Sequence, residues 1–317
     1  MKVLLFTHEQ DIDGIGCVIL AKKAFDNIDY IPCKTFEITS KVKAEIDSKN
    51  IYNYDYIFVT DLCIKEPLLT KINEDNILKN RIIVIDHHKS EIDEGNDKYD
   101  FVNIIIEKNM IKVSGTSLFY DYLLENNFLE KEKGISELVE LTRLYDVWDW
   151  KKNNNTKARK LHILFEEVGY EKYISIIENM LLKRNEIFFD KEESKVIENY
   201  LLNLDKDVEK ILKKMKVYVI VINNNKFKIG YVKCLYKYRN EISEYVKKDN
   251  KYDIDTVGMI MQDINTVSYR NVKNIDASII ATYFGGKGHK NAASNPQDNQ
   301  KFKDVLNLFK QEEVDGK

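Results

Sequence analysis

Carboxylates and imidazoles gather at four places in this 317-residue sequence: His8 with Asp11 and Asp13, then Asp61, then Asp86-His87-His88, then Asp146 with Asp149. The first three groups each follow a short apolar run, at residues 3–6, 56–60 and 82–85. Hard oxygen donors of this kind suit Mn2+ or Mg2+. A carboxylate bridging two such ions, with histidine among the outer ligands, lets metals ~3.5–4 Å apart activate a shared hydroxide. Any one Asp at a strand end is more often a helix cap, and Asp-x-Asp-Gly is also an ordinary turn sequence. The set taken together favours metal chemistry, because three strands of one sheet would deliver it to the same edge.

Positioning those groups requires a particular scaffold. The apolar runs alternate with helical patterns that start near residues 14 and 65, which predicts an α/β fold with a parallel sheet covered by helices on both faces. Ligands of such sheets bind at the carboxyl ends of the strands, where the Asp and His residues lie. From residue 114 onward the spacing turns helical, with apolar residues three and four apart in 114–127, 135–150, 158–168 and 170–182. Asp146 and Asp149 both fall on the second of these patterns and compete for the place of a fourth carboxylate. Trp148 and Trp150 on the same pattern could pack in the core or stack on a base. His162, inside the third, reads as structural or surface.

A charged stretch at 184–215 with a thin apolar stripe reads as a helical linker whose charges are a solvated face. It separates a metal-binding domain at 1–183 from a smaller α/β domain at 216–317. There the runs at 217–222 and 227–232 flank an Asn-rich turn and predict a hairpin. Further strands are expected at 256–261 and 266–269, and helices from about residues 242 and 276. Gly285, Gly286 and Gly288 then permit close backbone approach, so that consecutive N–H groups could surround an anion. A glycine C-cap and turn would use the same residues. His289 and Lys290 beside the glycines, and Arg270 after a strand, favour the anion. Lys237, Tyr238 and Arg239 form a small basic and aromatic cluster that fits a nucleotide contact or a solvated loop.

The segments Thr7-His8-Glu9-Gln10-Asp11-Ile12-Asp13-Gly14, Val59-Thr60-Asp61, Asp86-His87-His88 and Tyr145-Asp146 resemble the four ordered motifs of the DHH phosphoesterase superfamily. Gly285-Gly286-Lys287-Gly288-His289-Lys290-Asn291-Ala292-Ala293 is similar to the Gly-Gly-Gly-His signature of the C-terminal domain in its nanoRNase and exonuclease branches. The resemblance covers nearly the whole chain, in order. It implies two Mn2+ ions, with Mg2+ as the substitute: His8 and Asp11 on one, Asp13, His87 and Asp146 on the other, and Asp61 bridging. It further implies that Asp86 orients its neighbours, that His88 meets the phosphate or a proton, and that Arg270, Gly286, Gly288 and His289 hold another part of the substrate. His8 precedes Asp11 by three positions, where the nanoRNase and pyrophosphatase branches usually have four.

The activity this resemblance implies is hydrolysis of very short RNA or linear dinucleotides to mononucleotides. The competing readings are a phosphatase acting on a small nucleotide such as 3′-phosphoadenosine 5′-phosphate, and a nucleotide sensor that keeps the fold without catalysis. A sensor would be expected to lose ligands, and the bridging Asp61 and the Asp86-His87-His88 triplet are intact. Inorganic pyrophosphatases lack the glycine signature, and a processive DNA exonuclease would carry further binding domains.

Composition sets the outer limits. A formal net charge of −3 argues against a protein that grips long nucleic acid chiefly by phosphate neutralisation. Cys17, Cys33, Cys63 and Cys234 contain no Cys-x-x-Cys pair, so a zinc ribbon or disulfide framework is not expected. The apolar run at 3–6 is too short for a signal peptide, and no stretch reaches the ~18 residues of a membrane span. The expectation is a cytoplasmic enzyme without membrane contact, and a homodimer is compatible with it.

Overall fold

The computed structural model describes residues 1–248 and 252–315. The chain divides into two compact units, Met1–Glu198 and Asn199–Lys317. In the first, five strands form a sheet: β1 (Val3–His8), β2 (Ile28–Cys33), β3 (Tyr56–Thr60), β4 (Ile82–Asp86) and β5 (Val102–Ile104), in the order β2-β1-β3-β4-β5. All four pairings are parallel. The helices between them are α1 (Ile12–Ala24), α2 (Ile38–Asp47), α3 (Leu68–Glu74) and α4 (Lys89–Asp93).

The central strands are apolar almost throughout because both faces are covered, as parallel sheets require. Leu4, Phe6, Ile57, Val59, Ile82 and Val84 face a core closed by Ile38 and Val42 of α2 and Leu68, Leu69 and Ile72 of α3. On the other face Phe58 meets Phe119 at 5.1 Å between ring centroids. Phe119 belongs to α5 (Gly115–Glu125), which follows a short ribbon of β6 (Glu107–Lys108) and β7 (Ile111–Lys112). The fold is the α/β architecture expected, with two strands, β2 and β5, beyond the three apolar runs that end in Asp or His. Strand β2 lies at the sheet edge, carries Pro32 and is largely half-buried, so it lacks the apolar run of a central strand.

The remaining helices of this unit are α6 (Lys133–Asp146), α7 (Asp149–Lys152), α8 (Thr156–Val168) and α9 (Tyr170–Arg184). Next, α10 (Lys191–Leu212) crosses the boundary between the units, within the stretch read as a linker. Among the described residues no helix is long and apolar enough to cross a membrane.

The second unit is a six-stranded mixed sheet. Its strands are β8 (Lys216–Ile222), β9 (Asn225–Cys234), β10 (Thr256–Met261), β11 (Thr266–Asn271), β12 (Lys287–His289) and β13 (Ala292–Pro296), ordered β12-β13-β11-β10-β9-β8. Asn223 and Asn224 both take positive φ, 49° and 65°, which gives the two-residue turn that matches strand twist in a hairpin. Helix α11 (Arg239–Lys248) bridges the parallel pair β9 and β10, while α12 (Ala277–Tyr283) and α13 (Gln300–Asp315) complete the unit. Ile280 and Phe284 pack with Phe302 on Tyr231, Val267 and Tyr269.

Candidate metal centre

Strand β1 has β2 on one side and β3 on the other, so the chain reverses direction across the sheet at the carboxyl end of β1. Such switch points open a crevice for ligands. His8 closes β1, and Asp11 caps α1: its Oδ1 accepts the N–H groups of Asp13 and Gly14, each at 3.1 Å. The other oxygen, Oδ2, lies 2.9 Å from Nδ1 of His8.

Asp13 sits in the first turn of α1 and is buried. Its carboxylate is gripped from another helix: the Gly115 N–H donates to Oδ2 at 2.6 Å and the Thr116 N–H to Oδ1 at 2.9 Å. The Thr116 hydroxyl donates to the Asp13 carbonyl. These donors open α5, where the helix dipole favours negative charge. A Cβ on Gly115 would lie 2.7 Å from Cβ of Asp61 and 3.1 Å from Oδ2 of Asp13, so only glycine lets the helix end come this close. The sequence reading missed this support. The available signal was the capping pair Ser114 and Ser117, which marks the helix start without revealing what faces it.

Asp61 follows β3 in a left-handed conformation, φ 58°, with its N–H bonded to the Ile85 carbonyl at 3.0 Å. It is only 2% exposed. Its Oδ2 lies 3.6 Å from Nδ1 of His8 and its Oδ1 3.3 Å from Nε2 of His87. The same His87 nitrogen is 3.6 Å from Oδ2 of Asp13 and 3.6 Å from Oδ2 of Asp146. Three overlapping donor sets result among the described residues, His8 with Asp11 and Asp61, Asp13 with His87 and Asp146, and Asp61 with Asp86, His87 and His88, each with ligand atoms within 4.8 Å of one another. Asp86 accepts the His87 N–H at 2.7 Å and lies 2.7 Å from Nδ1 of His88.

The electrostatics describe a centre short of positive charge. Burial, then Asp13 and Asp11, hold the Asp61 carboxyl well above its ordinary range. Burial and Asp13 push Asp146 up to about 7. Burial alone would lower His8 and His87, but the surrounding carboxylates outweigh it, Asp11 foremost for His8 and Asp146 for His87, and raise both. Burial opposes charge on His88 as well, yet its bond to Asp86 raises it to about 9. Nε2 of His8 and Nε2 of His87 are buried without a hydrogen-bond partner. Paired carboxylates around unpartnered imidazole nitrogens fit divalent cations.

The expected helix over 135–150 is not continuous. It ends at Asp146, Trp148 takes φ 64°, and a short helix restarts at Asp149. The break aims Asp146 at His87 while Asp149 pairs with Arg143 at 3.5 Å and Lys152 at 3.1 Å. His162 stacks at 4.1 Å on Tyr145, the residue before Asp146, so it borders the centre rather than lying away from it.

The second unit carries the other predicted residues. Arg270 lies within β11, not after it, and pairs in register with Ala292. His289 of β12 pairs with the same Ala292. Three adjacent strands therefore place Arg270 and His289 on one face with only a methyl group between them. Burial and the charge of Arg239 lower the Arg270 guanidinium to about 10, and burial and Arg270 lower Lys247, which marks a cationic group. Gly286 and Gly288 sit against β13: a Cβ on Gly286 would lie 2.0 Å from the Ser294 carbonyl oxygen. Strand packing thus accounts for Gly286 without an anion.

Residues 2–144 match the DHH family, N-terminal domain. Over 293 residues the chain is 29% identical to oligoribonuclease NrnB of Bacillus subtilis (strain 168), a match spanning 91% of this chain and 71% of that protein. The solved exonuclease RecJ bound to manganese superposes with a TM-score of 0.60 at 14% identity, covering 98% of this chain and 88% of that one. The DHH domain of a member of a ribosomal-protein family gives a TM-score of 0.60 at 15% identity, covering 98% and 86%. These two structures share the fold.

Proposed function

We propose that this chain, whose residues 2–144 match the DHH family N-terminal domain and which resembles an oligoribonuclease, is a metal-dependent phosphoesterase that cleaves very short RNA or linear dinucleotides to mononucleotides with two Mn2+ ions. The observation that carries the reading is the divided carboxylate of Asp61, one oxygen toward His8 and the other toward His87. In this reading His8, Asp11 and Asp61 hold one ion, and Asp13, His87 and Asp146 the other, with Asp61 shared. Divalent ions bound there neutralise charge on the phosphoryl oxygens and make hydroxide accessible at neutral pH.

The chain's own groups do the rest. Gly115 and Thr116 fix the Asp13 carboxylate, so the donor set is organised before any ligand arrives. Asp86 locks the His87 backbone and holds His88 by Nδ1, which leaves the other His88 nitrogen for the phosphate or the departing oxygen. Its bond to Asp86 favours the protonated form of His88, which suits a proton donor. Arg270 and His289 take a non-scissile phosphate or chain end of the substrate. The resemblance to an oligoribonuclease supports RNA as substrate, and four buried, unpaired cysteines fit a reducing, cytoplasmic setting.

Purified protein is incubated with end-labelled RNA of two to ten nucleotides, linear dinucleotides and 3′-phosphoadenosine 5′-phosphate, with Mn2+, with Mg2+ and with chelator. Metal-dependent release of mononucleotides from the shortest RNAs is expected. Cleavage of the phosphomonoester alone, or binding without turnover, overturns the assignment.

A further inference from the structure

The break that ends helix α6 at Asp146 gathers an aromatic cluster from the residues on either side of it. Tyr145, Trp148 and Trp150 lie with ring centroids 6.0–6.2 Å apart, and His162 stacks on the far side of the group at 4.1 Å from Tyr145. None of the three is fully buried, and Trp148 is 40% exposed. Trp148 therefore stands at the exposed edge of the cluster, outside the packed core in which aromatic residues on a helix most often lie.

Trp148 also holds φ 64°, a left-handed conformation that bulky side chains rarely adopt. Strain of this kind persists where the surroundings impose it and concentrates at functional sites. Lys151 lies 4.9 Å from the centre of the Trp148 ring and 5.4 Å from that of Trp150. Arg159 lies 5.7 Å from the Trp150 ring. An exposed indole with Lys151 beside it and Arg159 beside the neighbouring indole, two residues past an acidic centre, matches a nucleotide: the base lies on the ring, and the cations offset the carboxylates that would repel its phosphate.

We propose that Trp148 is the platform on which a nucleobase next to the scissile phosphate stacks, with Lys151 beside it and Arg159 beside Trp150. This rests on the phosphodiesterase reading of the centre. Stacking of this kind is tolerant of base identity, so the shelf selects nucleotides over base-free phosphate esters rather than one base over another.

The chain contains two tryptophans, and both belong to the shelf, so all indole fluorescence reports on it. The full-length protein in Mg2+ is titrated with adenosine 5′-monophosphate and with ribose 5-phosphate, and Michaelis constants are measured for linear diadenylate. The nucleotide should quench the emission and the sugar phosphate should not. In Trp148→Asn, chosen because Asn accepts the left-handed backbone, KM should rise roughly 5- to 100-fold, with kcat changing less. Trp148→Phe, which keeps a ring, should recover most of the affinity. Equal responses to both probes, or a KM in Trp148→Asn within about twofold of wild type, overturns the platform. Quenching by the nucleotide in a protein that cleaves no diadenylate would instead overturn the phosphodiesterase reading and leave the platform standing.

Discussion

Replacing Asp61 by Asn should make the metal-free protein more stable and the metal-loaded enzyme nearly inactive. The change is close to isosteric, and Asn tolerates the left-handed backbone that Asp61 adopts at φ 58°. It therefore removes charge without disturbing the turn. In the wild type the ligand oxygens of Asp61 and Asp11 lie within 4.8 Å of each other, a repulsion of about 3.5 kcal/mol at an effective dielectric constant of 20. Attraction to His8 and His87 offsets part of it, leaving a net relief of about 1–3 kcal/mol. For a unit of 198 residues each kcal/mol moves the midpoint by about 2–4 °C, so the variant should melt about 2–12 °C above wild type in chelator. With Mn2+ the order should reverse. Two ions, each at a hundred times its Kd, stabilise the wild type by about 5.4 kcal/mol, more than the relief, and the variant gains little. Thermal melts with and without Mn2+, alongside dinucleotide hydrolysis, give the comparison. Activity should fall at least about a hundredfold. A variant that melts below wild type in chelator, or that keeps its response to Mn2+, would refute the reasoning.

Three further outcomes follow from the same geometry. Gly115→Ala should cost at least about tenfold in kcat/KM and about 1–3 kcal/mol in stability, read by kinetics and denaturant melts, since its Cβ would meet Asp61 at 2.7 Å. Asp146→Asn should lower activity about a hundredfold or more, whereas Asp149→Asn, which only loses its pairs with Arg143 and Lys152, should stay within about threefold. In chelator, Asp146 makes stability fall as pH rises: its folded value of about 7 exceeds the ordinary 3.8, so the folded state holds the extra proton between those values. Melts from pH 4 to 7.5 should show that Asp146→Asn flattens the decline.

The sequence revealed the centre wherever an apolar run ended in a charged residue. Tyr56–Thr60 is the third strand from end to end, and Asp61 and Asp86 close β3 and β4 because burial on both faces leaves no other place for carboxylates. Elements at the margins were less legible. Strand β2 is an edge strand with a proline, and β12 and β13 fall on the glycine-rich segment read as a loop or turn. The break at Trp148 has no local cue such as glycine or proline, so periodicity carried the helix through it. Gly115 and Thr116 were invisible as supports because they reach Asp13 across about a hundred residues, and His162 joins the site only through its stack on Tyr145.

The proposed function has Asp61 shared between two ions. Anomalous scattering from crystals grown with Mn2+ measures this directly. The account predicts two peaks about 3.5–4 Å apart, one beside His8 and Asp11 and the other beside Asp13, His87 and Asp146, with Asp61 contacting both. A single peak, or two that do not share Asp61, would contradict it.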